Sequence, residues 1–310
     1  MISMSDSSAN NDDGDMSEFG LIARLAEFGV AKNLQNPESI LTGIGDDTAV
    51  VSASSGQLLL TTDAIVDGIH FRSVDERWYD IGWKCAVSNL SDIAAMGGIP
   101  DHALVTLGVP KGASMETFTD FYSGMNEAFA KFGGAVVGGD VVSSPNMFVN
   151  LALTGHPVSN GDGESAWLKR SAAQVDDLVC VTGQLGGSAG GLEVLLSGDT
   201  NPSGQTLVNR HFHPTPRIEL GNRLVEAGVR CAMDVSDGLV GDLEKLASAS
   251  NVRIRIDMTN IPIPAELIFM FGTSAIELAL SGGEDYELLF TADQKDFEKL
   301  KGNPNLSIIG

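Results

Sequence analysis

Apolar positions along the chain alternate between helical and strand spacing, and acidic or glycine-rich turns separate the runs. Residues 1–16, rich in Ser, Asn, Asp and Gly, predict a disordered tail. After Ser17-Glu18, the residues Phe19, Ile22, Leu25, Ala26 and Val30 give one apolar helix face. Val50 to Leu60 reads as a hairpin with Gly56 in its turn, and Leu58-Leu59-Leu60 carries Thr61, Thr62 and Asp63 to the end of a strand. Gly68 permits a bend that brings His70 back toward that end. Trp78 to Met96 predicts a helix with Trp83, Val87, Leu90 and Ala94 as its buried stripe. Ser88 and Asp92 fall one turn apart on another face, so the Asp92 carboxylate is displayed rather than packed. A strand over Ala103 to Val109 precedes a helix capped by Ser114, with Phe118, Phe121, Tyr122, Met125, Phe129 and Phe132 on its core face and Gly133-Gly134 as its end. Ala135 to Val137 is a short strand running into Gly138-Gly139-Asp140, with Phe148 to Gly155 as its hairpin partner.

Residues 156 to 168, containing Asn160-Gly161-Asp162-Gly163, read as an exposed connection and place a domain boundary. The second half opens with a turn plus a strand over Asp176 to Gly183. Gly186 to Gly191 then precedes a helical run from Leu192 to Leu196, and a helix with Pro216 in its first turn runs to Gly228. A strand at Ala232 to Val235 delivers Asp234, Ser236 and Asp237 to its end, followed by a helix from Gly238 to Ser250. Ile254 and Ile256 alternate as in a half-wet strand. A helix ends at Leu280, Tyr286 to Phe290 is a buried strand, and Asn305 to Gly310 begins another. The expected organisation is a tail over 1–16, an N-terminal domain over 17–156, a connection over 157–168 and a C-terminal domain over 169–310. The expected fold class is α+β, with mixed sheets and helices and a C-terminal domain like an α/β sandwich.

Composition changes this picture in one respect. With 310 residues, 43% hydrophobic, the chain has enough material for two folded domains. Its net charge of -22, from 41 acidic against 19 basic residues, repels nucleic acid and anionic membrane. It repels ATP equally, so a nucleotide site here needs metal ions to invert the local potential. Cys85, Cys180 and Cys231 lie far apart with no disulfide framework or zinc spacing, which implies a reducing cytoplasm. The N-terminus has neither the positive segment nor the apolar run of a signal or transit peptide, and no apolar run is long enough to span a membrane.

The acidic turns carry the candidate chemistry. They are Gly45-Asp46-Asp47, Thr61-Thr62-Asp63, Asn89-Leu90-Ser91-Asp92, Gly138-Gly139-Asp140, Asp234-Val235-Ser236-Asp237 and Gly282-Gly283-Glu284-Asp285. Magnesium takes hard oxygen ligands in octahedral geometry and shares them with phosphates, and Asp residues beside turns present such oxygens at fixed distances. Asp46, Asp63, Asp92, Asp140 and Asp234 suit that role, and Thr61 and Thr62 add hydroxyl or carbonyl oxygens. Each one taken singly also reads as a cap or turn residue. No GxxxxGK[ST], HExxH or GxSxG motif is present. The Gly186 to Gly191 run fits either a phosphate-cradling backbone or close helix packing. His70 is either a site residue or a structural one, and His211 and His213 show no ligand spacing.

Taken in order, GIGDD, TTDxxxxGxHF, AVSNLSDIAAMGG, GGD, a later LxRSxA, DxSDGL and SGGEDYEL resemble thiamine-monophosphate kinases of the AIR-synthase-related (PurM-like) superfamily, over residues 18 to 310. The resemblance implies a PurM-like two-domain architecture and a homodimer paired through its N-terminal domains, with the nucleotide site between N- and C-terminal domains. It implies transfer of the ATP γ-phosphoryl group to thiamine monophosphate, assisted by several Mg²⁺ ions. By position it makes Asp46, Thr61, Thr62, Asp63, Asp92, Asp140, Asp234 and Asp237 metal ligands, with Asp63, Asp92, Asp140 and Asp234 as the electrostatic catalysts. Tyr122, Gly139, Asp140, Arg170 and Ser236 become nucleotide contacts, and His70 and Glu284 substrate contacts. This replaces the core-only reading of Tyr122. The family's C-terminal aromatic near the thiamine ring has no counterpart before Gly310, so the expectation is either a truncated last domain or different last strands. The alternatives are another ATP-dependent enzyme of the superfamily, of hydrogenase-maturation or aminoimidazole-ribonucleotide synthase type, or a non-catalytic acidic dimerisation or metal-binding module. TTD with GxHF and SGGEDYEL favours the kinase.

Overall fold

A computed structural model describes residues 40–42, 45–53, 56–75 and 77–310. The predicted tail and the helix after Ser17 lie outside the described residues. Leu41–Gly310 forms one compact unit. Its first half carries β1 (Ile40–Thr42), β2 (Ala49–Ala53), β3 (Gly56–Val66), α1 (Trp78–Ala95), β4 (Gly98–Val109), α2 (Met115–Phe132), β5 (Ala135–Ser143), β6 (Phe148–Ser159) and β7 (Ser165–Ala166). The strands form one sheet in the order β1-β2-β3-β6-β4-β5, with β7 paired to β6.

The expected hairpin forms as β2 and β3, but β3 does not stop at Leu60. Its ladder with β6 continues from Leu59↔Gly155 through Asp63↔Leu151 to Val66↔Phe148, so Thr61, Thr62 and Asp63 sit within a strand rather than at its end. The expected pairing of residues 135–137 with 148–155 is replaced. Helix α2 returns the chain in the direction of β4, so β5 pairs parallel to β4, while β6 inserts antiparallel between β4 and β3. The connection at 156–168 is also more ordered than expected. β6 runs on to Ser159, the Asn160 side chain accepts from Asp162 N and Glu164 N, β7 turns back, and Leu168 is buried.

The second half follows with β8 (Leu178–Thr182), α3 (Gly187–Ser197), α4 (Pro202–Phe212), α5 (Ile218–Ala227), β9 (Cys231–Val235), α6 (Leu239–Ser250), α7 (Ala265–Phe271), α8 (Ala275–Ser281), β10 (Glu287–Ala292), α9 (Gln294–Leu300) and β11 (Leu306–Ile308). Its sheet runs β11-β8-β10-β9, each pair antiparallel. Helix α4 was not anticipated, although Asn201 caps it and Pro202 occupies its first turn. Residues 252–257 form no ladder. Ile254 and Ile256 instead pack against the second core, so their alternation reflects burial of one side of an extended loop.

Helix α1 organises both halves. It is buried on most sides and not along one stripe, because the first sheet, α2 and the second half all cover it. Leu90 and Ile93 share one core with Leu151 and Leu153 of β6 and with Ala232, Leu288 and Phe290 of the second sheet. Close approach requires small residues here. A Cβ on Gly82 would lie 1.9 Å from the Phe121 carbonyl oxygen, and one on Gly221 would lie 2.2 Å from that of Ala94. Among the described residues no helix is long and apolar enough to cross a membrane. Cys85, Cys180 and Cys231 are unpaired and buried.

Candidate active site

Helix α1 is also where the acidic turns meet. One carboxylate oxygen each of Asp47, Asp92 and Asp234 lies within 4.8 Å of the other two. Asp47 precedes β2, Asp92 comes from α1, and Asp234 from β9. The supporting bonds are specific. Ser91 Oγ donates to Asp234 at 2.7 Å, Thr61 Oγ1 donates to Asp92, and Arg170 forks onto Asp47 at 2.6 and 3.1 Å. Asp46 accepts from Arg170 N at 3.3 Å and from Asp47 N at 3.1 Å.

These carboxylates are costly to keep charged together. Burial, then the neighbouring Asp47, pushes Asp46 up to about 6. Burial raises Asp92, with Asp63, Asp234 and Asp47 adding repulsion, and it raises Asp234, with Asp47 adding more. Asp63 is raised by burial against an opposing Ser88 hydrogen bond. Arg170 is itself held higher: burial works against its charge, and Asp47 outweighs it. A set of buried, mutually repelling carboxylate oxygens supplemented by the Thr61 hydroxyl has the donor chemistry Mg²⁺ prefers, and a divalent ion there would relieve the repulsion. The residues present therefore fit the ion.

Beside the cluster lies a cavity of about 420 Å³. Its polar lining includes His70, Lys84, Ser88, His211 and Glu284, and Tyr286 closes one side. Ser88 thus serves both the cavity and Asp63. Glu284 and Tyr286 adopt positive φ, 63° and 52°, and their N–H groups donate to the carbonyls of Ser236 and Val235 at 2.8 and 3.0 Å. The GGEDY turn is thereby clipped to the end of β9, so two of the sequence clusters interlock. Lys84 Nζ donates to Glu284 at 2.8 Å. Burial alone would raise Glu284, yet Lys84 outweighs it and holds the carboxyl below its usual range. Burial, then Lys84, pushes His211 down to about 4, so it is neutral.

The structure brings Asp46, Thr61, Asp63, Asp92, Arg170 and Asp234 together, with His70 and Glu284 in the adjoining cavity. It does not bring in every expected residue. Strand alternation turns Thr62 to the opposite face from Asp63, where its hydroxyl donates to Asn150 and to the Leu151 carbonyl. Asp140 sits on edge strand β5, exposed, in a row with Thr106, Asn150 and Ala64. That is the face opposite Asp63, three strands from β3. At Gly139, a Cβ would lie 1.9 Å from the Val105 carbonyl oxygen, which accounts for the glycine by backbone approach. Tyr122 is half-buried against Phe121 and the first core. Asp237 is exposed and paired with Lys245, and Ser236 N donates to Asp242 at 3.0 Å.

The glycine run is settled by contacts. Asp285 accepts from Gly186 N and Ser188 N at 2.5 and 3.0 Å, and a Cβ on Gly191 would lie 2.1 Å from the Leu207 carbonyl oxygen. Two of its N–H groups are thus occupied by a carboxylate, and Gly191 serves helix packing. Sequence reasoning missed Asp47, Lys84, His211 and Tyr286 as site residues. Asp47 was signalled as the second Asp of GIGDD. Lys84 was signalled by its place four residues before Ser88 and eight before Asp92, on one helix face.

The chain matches the family model described as AIR synthase related protein, N-terminal domain, over residues 45–156, and the C-terminal domain model over 174–310. It is 37% identical to the thiamine-monophosphate kinase of Bacillus subtilis, with 92% of this chain and 86% of that protein covered. A solved structure described as AaThiL complexed with AMPPCP and TMP superposes with a TM-score of 0.83 at 34% identity, covering 94% of this chain and 89% of that one. Hydrogenase maturation protein HypE in complex with ATP shares the fold alone, at a TM-score of 0.66 and 19% identity over 92% of this chain and 85% of that one.

Proposed function

Because the chain belongs to the thiamine-monophosphate kinase family of AIR synthase related proteins, with their PurM-like fold, we propose that it transfers the γ-phosphoryl group of ATP to thiamine monophosphate, giving thiamine diphosphate and ADP. The observation that carries this reading is the acidic cluster of Asp47, Asp92 and Asp234 beside a cavity large enough for a small ring-bearing ligand.

The reaction asks little acid–base chemistry of the protein. An ionised phosphate oxygen of the acceptor attacks the γ-phosphorus in line. The bond to the β,γ-bridging oxygen breaks, and ADP leaves with that electron pair. No proton has to be removed from the nucleophile, so no general base is needed, and catalysis is positioning plus charge neutralisation. Asp46, Asp47, Thr61, Asp63, Asp92 and Asp234 would hold several Mg²⁺ ions. Bound there, those ions supply the positive charge that offsets two polyphosphates. Arg170 holds Asp47 in place and adds a fixed positive charge. Ser91 and Thr61 orient Asp234 and Asp92. His70 and Glu284 face the acceptor, and Ile65, Phe71 and Ile81 on the cavity wall exclude water.

The further roles in this reading come from the resemblance, not from contacts within one chain. Thr62, Asp140 and Asp237 are taken as additional metal ligands, and Tyr122, Gly139, Asp140, Arg170 and Ser236 as nucleotide contacts. The domains are taken as 17–156 and 169–310, and the protein as a cytoplasmic homodimer paired through the N-terminal sheet, whose β5 edge exposes Val137, Val141 and Val142.

The test is ADP release measured with and without thiamine monophosphate, and with and without Mg²⁺. ADP formed only with both present supports the kinase. Mg²⁺ binding without turnover supports a non-catalytic module, and turnover with a different acceptor supports another enzyme of the superfamily.

A further inference from the structure

Helix α1 carries Lys84, Ser88, Ser91 and Asp92 among its mostly apolar residues, and Ser88 and Ser91 are buried. The last three serve the acidic cluster, whereas Lys84 points into the cavity and has no counterpart among the residues assigned above. A lysine that is 13% exposed needs a partner, and its partner is Glu284 at 2.8 Å. Its Nζ also lies 3.3 Å from His211 Nε2 and 3.4 Å from Nδ1, and His211 Nδ1 lies 3.0 Å from Ser188 Oγ. The row from Glu284 through Lys84 and His211 to Ser188 ties the GGEDY turn to α1, α4 and the start of α3.

We propose that Lys84 is a positioning residue for the acceptor substrate: it holds the Glu284 side chain as a fixed carboxylate in the cavity, so that Glu284 presents only hydrogen-bond acceptors to the ring system of thiamine monophosphate. The proposal rests on the functional reading above. The Glu284 side chain is 36% exposed, so without the ammonium its carboxylate is no longer held in one orientation toward the cavity. A cavity so changed loses the substrate's N–H donors while the acidic cluster, on the other side of Ser88, keeps its ligands. His211 completes the arrangement. As a neutral ring it contacts the ammonium without competing for charge, and Ser188 fixes its orientation.

Lys84 is therefore expected to act on acceptor binding and not on the phosphoryl-transfer step. Lys84→Met raises KM for thiamine monophosphate at least about tenfold, the scale of a lost hydrogen bond to a charged group. The KM for ATP and kcat stay within about threefold, the pattern of lost uniform binding. Lys84→Arg, which keeps the charge, restores most of the affinity. Because Lys84 acts through Glu284, the Lys84→Met, Glu284→Gln double variant has the KM of the weaker single variant and not the product of the two effects. An unchanged KM in Lys84→Met, or multiplicative effects in the double variant, overturns the role of Lys84. Calorimetric binding of thiamine monophosphate to each variant, alongside its melting curve, separates this from misfolding. Wild-type protein that binds and phosphorylates thiamine monophosphate while Lys84→Met binds it equally sinks this inference alone. Wild-type protein that neither binds nor phosphorylates it sinks the functional reading and this inference with it.

Discussion

Ser91 Oγ donates to the Asp234 carboxylate at 2.7 Å, joining two residues 143 positions apart. The bond runs from α1, packed on the first sheet, to β9 of the second, and Asp92, the next residue along α1, contributes to the same acidic cluster. Ser91→Ala removes this support without removing a ligand. The Mg²⁺ concentration for half-maximal turnover should rise about tenfold, the lower end of what supporting residues around metal ligands contribute. The KM for thiamine monophosphate should not move. A Mg²⁺ titration of initial rates measures both.

The repulsion within the cluster predicts opposite responses with and without metal. Thermal unfolding of the wild-type protein should shift upward with Mg²⁺, by an amount equivalent to about 2.7 kcal/mol at a hundred times Kd. Asp92→Asn removes one of the mutually repelling charges. It should melt at or above the wild-type temperature in chelator and lose most of the Mg²⁺-induced shift. A variant that melts lower in chelator yet keeps the full shift would speak against the cluster as the ion site.

The contributions of Asp46 and Asp285 to metal-free stability should fall as pH rises from about 4 to about 7, whereas His211, held down to about 4, contributes in the opposite direction. Burial raises Asp46 from 3.8 to about 6 and Asp285 from 3.8 to about 7. A carboxyl whose folded pKa is raised binds its proton more tightly when folded. Its contribution is therefore complete below the unfolded value and is lost as pH passes through the folded one. Asp285→Asn keeps an acceptor for the start of α3 but cannot titrate, so denaturation curves in chelator should show a shallower decline over that interval.

Gly191→Ala separates packing from phosphate binding. With the added Cβ 2.1 Å from the Leu207 carbonyl oxygen, α3 and α4 must move apart. The expected cost is about 1–3 kcal/mol in chemical denaturation, typical of overpacking. The KM for ATP should be unchanged at temperatures where the variant is folded.

What the sequence conveyed follows from how local each signal is. The hairpin of β2 and β3, the Ser114 cap and the buried strand after Glu284 depend on neighbours a few positions away, and all of these were legible. The acidic clusters were legible as a set of recurring Asp-bearing segments around Asp46, Asp63, Asp92 and Asp234, although Asp63 lies within β3, Asp92 within α1 and Asp234 within β9. Their convergence was not, because it depends on α1 being enclosed by both sheets. The same cause hid Lys84, whose partner Glu284 lies 200 positions away. Strand register decided the rest. Extension of β3 to Val66 turned Thr62 away from Asp63, and insertion of β6 between β3 and β4 put Asp140 three strands from the cluster. Asp47 was overlooked because adjacent carboxylates read as one turn, although its fork to Arg170 makes it the more buried of the two.

The central claim is that the carboxylates gathered around α1 carry out phosphoryl transfer. Its most direct test is the turnover of Asp63→Ala, Asp92→Ala and Asp234→Ala with ATP and thiamine monophosphate at saturating Mg²⁺, each variant first shown to be folded. Each should lose at least ~100-fold in kcat, the scale of removing a principal electrostatic stabiliser of the transition state. Near-normal rates for all three would contradict the account.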